Sequence, residues 1–133
     1  DISGAGFALC ITDTGGNHAD LTDDYASVPA EMKAVAKVLG ADVLRRTSKD
    51  ALLGNIEKVR KECGDRAVLR ALHFFNENER VAKQKEALLN GDLFGFFSYV
   101  IGSGRSSFCY LQNVYTTMHR PFPRLLTLQH LNS

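Results

Sequence analysis

The chain has 133 residues, 44% apolar and 23% charged, with 16 Lys and Arg against 15 Asp and Glu. That is about one domain with enough apolar content for a sizeable core, and so even a charge balance leaves no basic stripe, which argues against duplex nucleic acid as a partner. No stretch approaches the roughly 18 apolar residues of a membrane span, and the first residues lack a basic region with an apolar core, so a cytoplasmic protein with no membrane partner is expected.

Phe7, Ala8, Leu9, Cys10 and Ile11 form an apolar run suited to a buried strand and too short for an amphipathic helix. Thr14-Gly15-Gly16-Asn17 stops it, and the loop from His18 to Tyr25 that follows is crowded with polar groups. A loop held between a strand and a helix is a common rim for a small-molecule site. It also reads as a solvated turn with a helix cap. Asp20, Asp23 and Asp24 lack the glycine and terminal Glu of a calcium loop, and a negative start to the next helix explains them better.

Helical patterning dominates from there. Tyr25 to Leu39 places Met32, Val35, Ala36 and Leu39 on one stripe, with Pro29 tolerable only in a first turn and Gly40 closing the element. Val43 and Leu44 fall in a short link. Ser48 is a capping residue before a helix from Ala51 to Cys63, whose inner face is Leu52, Ile56 and Val59. Gly64-Asp65 opens the longest helix, in which Val68, Leu72, Phe75, Val81 and Leu88 keep a helical period to Asn90. Gly91 is its C-cap and Asp92 the next N-cap. The last helix, from Leu93, is aromatic-rich and packed on more than one face, with Gly102-Ser103-Gly104 interrupting it before a weaker resumption through Phe108, Leu111 and Val114. The expected fold class is therefore α+β, mainly α, with one or two N-terminal strands followed by a packed group of helices.

Cys10, Cys63 and Cys109 are odd in number and far apart, which fits reduced structural thiols, Cys10 buried in its strand. His73 has no Cys or second His at metal spacing, so a hydrogen-bonded helix-interface histidine is expected there. Glu77, Glu79 and Arg80 are placed for ion pairs within their helix or with its neighbours. Gly102-Ser103-Gly104-Arg105-Ser106-Ser107 superficially suggests a phosphate cradle, but it lacks a Lys, the longer glycine pattern and a preceding strand.

Two segments carry a resemblance. Leu9 to Tyr25, followed by Glu31, is similar to the part of galactokinases in which a strand ends in Asn-x-x-His, a short loop reaches a Tyr and a helix begins. Arg70-Ala71-Leu72-His73-Phe74-Phe75-Asn76-Glu77-Asn78-Glu79-Arg80-Val81 resembles that family's Arg-Ala-x-His-Val-Val-x-Glu-x-x-Arg-Val helix, and the break at Asn90-Gly91-Asp92-Leu93 follows it as well. The likeness to these members of the GHMP kinase superfamily runs from Leu9 to about Val114. Gly15 stands where the family has the strand-ending Asn, Val28 and Pro29 where it has an Arg pair, and Gly102 and Gly104 where a helical Glu and His would fall.

The resemblance implies a fragment of a sugar kinase, part of a GHMP-kinase C-terminal domain, whose complete form phosphorylates galactose at its anomeric hydroxyl with ATP and Mg. Tyr25 inherits a sugar contact, and His18, seven residues earlier, a place beside the substrate. Without the family, Tyr25 reads as a core-packing aromatic at a helix start and His18 as a solvated loop histidine. The family's Gly-Arg-x-Asn-x-x-Gly-Glu-His motif, nucleotide loop, catalytic Asp and late glycine-rich segment have no counterpart in this chain. No catalytic, cofactor-binding or metal residue is therefore assigned. Alone, the chain is expected to be inert and to bind neither ATP nor Mg well.

Asp1 in place of an initiator Met also suggests a fragment or a processed chain. Residues 1-117 read as the partial galactokinase-like domain. Residues 118-133, with the stop Arg120-Pro121-Phe122-Pro123-Arg124, read as an atypical tail from a cloning boundary or altered reading frame. Exposed apolar faces left by a cut predict self-association. The alternatives are a non-catalytic sugar sensor and a helical interaction domain.

Overall fold

A computed structural model describes residues 4–13 and 22–114. Helices α1 (Thr22–Val38), α2 (Lys49–Gly54), α3 (Ile56–Cys63), α4 (Asp65–Leu89) and α5 (Leu93–Ser106) follow in order. A 3-10 turn, Leu44–Arg46, precedes α2, and a π turn, Ser107–Leu111, extends α5. The architecture is a small helical bundle around α4, which touches α1, α2, α3, α5 and the π turn.

The α+β expectation is therefore wrong. Among the described residues no strand forms. Phe7 to Ile11 has the side chains of a strand but no extended neighbour within the described residues to receive its backbone hydrogen bonds, and a strand without a ladder has little to hold it. Leu9 and Ile11 are left 91% and 93% exposed. Cys10, expected in a core, is exposed too. Phe7 alone finds a seat, with its ring 4.8 Å from that of Phe97 on α5.

The helix boundaries follow local chemistry. At the end of α1, the Gly40 amide donates to the Lys37 carbonyl and the Ala41 amide to that of Ala36, a left-handed closure that Gly40, at φ +81°, adopts without strain. The same motif ends α4, where Gly91 and Asp92 donate to Leu88 and Ala87. The Asp92 carboxylate then accepts from the Gly95 amide to start α5, and the Ser48 hydroxyl accepts from the Ala51 amide to start α2.

Three expected boundaries differ. The helix expected over Ala51 to Cys63 is two, because Gly54 and Asn55 are poor helix formers and the Asn55 side-chain Nδ2 donates back to the Ala51 carbonyl at 2.9 Å while its backbone N–H donates to that of Leu52. α1 starts at Thr22, so Pro29 lies inside the helix rather than in its first turn. Gly102 and Gly104 do not interrupt α5 either. A Cβ on Gly102 would lie 3.4 Å from Arg80 Nε, in ordinary contact with α4.

The core is built from Val35 and Ala36 of α1, Leu44, Leu52, Val59, and Ala67, Val68 and Ala71 of α4. Leu72 and Phe75 pack on its margin. Val81 and Leu88, expected on the same stripe, are 56% and 43% exposed, while Ala87 is the buried residue near the end of α4.

Candidate functional site

The polar centre of the molecule lies where α1, α4 and the π turn meet. Ser27 and Glu31 are four residues apart on α1, and Arg66 and Arg70 are four apart on α4, so each pair shares a helix face. Arg70 is 2% exposed. Its Nη1 donates to Ser27 Oγ at 2.8 Å and to Glu31 Oε2 at 2.9 Å, and its Nε donates to the Leu111 carbonyl at 3.0 Å. Arg66 Nε donates to Glu31 Oε1 at 2.9 Å. One carboxylate thus serves two guanidiniums, and its hydrogen bonds raise the Arg66 pKa above the ordinary arginine value.

A second polar seam joins α4 to α5, which run antiparallel. His73 Nδ1 lies 2.9 Å from Ser106 Oγ, and Ser103 Oγ donates to Glu77 Oε1 at 2.6 Å. Arg80 closes the seam as an ion pair with Glu77 one turn along. Burial lowers the His73 pKa below its usual value, and Arg80 pushes the same way, against opposing pulls from Glu77 and Ser106. The expected interface histidine is present. Its hydroxyl partner was not foreseen.

Between these seams lies a cavity of about 320 Å³ bordered by Val28, Met32, His73, Glu77 and Leu111, among others. Tyr25 stands on α1 one turn before Val28 and two before Met32, on the same helical stripe, and is 50% exposed. It is not packed away as a core aromatic. His18 lies outside the described residues, so the structure places only one of the two expected sugar contacts. Asp23 and Asp24 occupy the first turn of α1, where negative charge complements the helix dipole. Among the described residues no three His, Cys, Asp or Glu side chains are grouped to hold a metal.

The residues that best organise this region escaped sequence reasoning as a unit. The signal was available in the matched spacings: Ser27 and Glu31 against Arg66 and Arg70, and His73 and Glu77 against Ser103 and Ser106. Chemically, both arrangements hold helices together, and every buried polar side-chain atom among the described residues has a partner.

Comparison with protein-family models, with curated proteins and with solved structures gives no match to the chain. No described helix is long and apolar enough to cross a membrane.

Proposed function

We propose that this chain is a portion of a galactokinase-like sugar kinase, whose complete form transfers the γ-phosphate of ATP to the anomeric hydroxyl of galactose, with Mg as the metal and the cytoplasm as its location. The observation that supports the reading is the density of roles along one motif. Arg70, His73, Glu77 and Arg80, which carry the resemblance on α4, are the residues that tie α4 to α1, to the π turn and to α5.

In this reading Tyr25 contacts the sugar. A phenol donates to a hydroxyl or ring oxygen while its face covers the sugar's C–H surface. Phosphoryl transfer needs a nucleotide cradle, metal ligands and a group that positions the attacking hydroxyl. Those are assigned to parts of the parent protein beyond this chain. The test is ATP-dependent galactose phosphorylation by the full-length parent, with Tyr25→Phe alongside. Activity that falls in the variant supports the reading, and absence of turnover on any sugar with sugar binding retained replaces it with the sensor.

A second reading rests on α5. Leu93 to Gly104 contains no charged residue, yet Phe94 is 88% exposed and Val100 and Ile101 are also in water. Large apolar side chains exposed together on one helix mark an interaction surface, which favours a helical interaction module and, for the isolated chain, self-association.

A further inference from the structure

A groove of about 310 Å³ opens between α1, the 3-10 turn and α4. Met32, Val43, Leu44 and Phe74 line it with apolar surface, while Lys33 and Arg45 bring two cations to it. Both cations are exposed, and neither forms an ion pair with a carboxylate among the described residues. The neighbouring Arg46, by contrast, pairs with Asp42 at 3.4 Å.

Arg45 is also held in place. Asn78 Nδ2 donates to the Phe74 carbonyl at 2.7 Å, which orients the amide so that its Oδ1 accepts from Arg45 Nη2 at 3.3 Å. The guanidinium lies 6.0 Å from the centre of the Phe74 ring, itself set edge-on to Phe75. A positioned cation beside an apolar floor, with a second cation on the flexible stem of Lys33, is complementary to one kind of occupant: an apolar body with a single negative head. The volume is at the small end for a ligand site, where pockets run from about 300 to 1,000 Å³.

We propose that this groove binds small amphipathic monocarboxylates, their chain or ring on Met32, Leu44 and Phe74 and their carboxylate between Lys33 and Arg45. The groove shares Met32 and Phe74 with the neighbouring cavity, and the proposal does not depend on the sugar contact assigned to Tyr25.

The test is an amide-resolved NMR titration of the whole chain with octanoate and, in parallel, with the uncharged 1-octanol. Octanoate should give saturable shifts centred on Met32, Lys33, Leu44, Arg45 and Phe74, with octanol roughly tenfold weaker. The K33Q/R45Q double variant, altered only at exposed side chains, should keep its helical circular dichroism and lose the preference for the acid over the alcohol. Equal affinity for the two probes, shifts centred instead on Phe94 and Ile101 of α5, or no saturable shift at all would each overturn the proposal.

Discussion

Removing the Glu31 carboxylate should unfold this molecule more effectively than removing either of its arginine partners. Glu31 is the only carboxylate paired with Arg70 among the described residues, and Arg70 is 2% exposed. Glu31→Ala leaves a buried guanidinium with a hydroxyl and a carbonyl but no counter-charge, a change that costs about 3–5 kcal/mol. The Glu31 side chain is 21% exposed, so the lower end, about 3 kcal/mol, applies. Arg66→Ala deletes the outer pair, whose arginine side chain is 37% exposed, and should cost no more than about 1 kcal/mol. Arg70→Met falls between: it removes the buried charge, leaves Glu31 paired with Arg66, and strands the Leu111 carbonyl at about 1–3 kcal/mol. A domain of this size has roughly 5–15 kcal/mol in total, so these differences are readily measured. Urea unfolding followed by circular dichroism, with slopes compared to confirm a common transition, is the assay. Equal losses for Glu31→Ala and Arg66→Ala would refute the reasoning, because the buried charge would then not be what Glu31 holds.

Burial holds His73 neutral, with a pKa below the unfolded value near 6.5. Above that value both states are uncharged and the stability is fully present. As pH falls below it, the unfolded chain takes up the proton first, and stability declines until the folded pKa is passed; His73→Gln should flatten this part of a pH series of urea midpoints. Gly40→Ala forces a side chain into φ +81° and should lower stability by about 1 kcal/mol in the same assay. Gly102→Leu must displace Arg80 and should weaken the α4–α5 seam by about 1–3 kcal/mol, detected as accelerated amide exchange in α5. The double variant Phe94→Ser with Ile101→Ser should sediment as a monomer at concentrations where the parent chain associates, and an unaltered sedimentation profile would count against the α5 face.

Much of the helical framework was legible because its signals are local. Ser48, Gly40, Gly91 and Asp92 act through their own backbone neighbours, and each can be read without knowing what lies across the fold. The strand at Phe7 to Ile11 was misread because pattern and composition give a segment's preference, whereas a strand also needs a neighbour. Gly102 was misread for the converse reason. As a local signal it weakens a helix, but packing along α4 outweighs that propensity. Of the candidate site, Tyr25 lies at the exposed start of α1 and His18 lies outside the described residues. The arginine cluster was invisible while Glu31 and Arg70 were weighed one at a time, since only the crossing of α1 and α4 makes four separate residues into one network.

That crossing has a kinetic side. α4 and α5 are joined by a tight turn and can zip together from neighbouring residues, whereas the ties from Arg70 to Ser27, Glu31 and Leu111 close loops of 39 to 43 residues. Short-range contacts form early and long closures late. The helical hairpin should therefore assemble before α1 docks, and α1 should be the first element to leave. Glu31→Ala would then act chiefly by speeding unfolding, with little change in the refolding rate. Under native conditions, amide exchange would report the same hierarchy, with α1 opening at lower free energy than the buried face of α4.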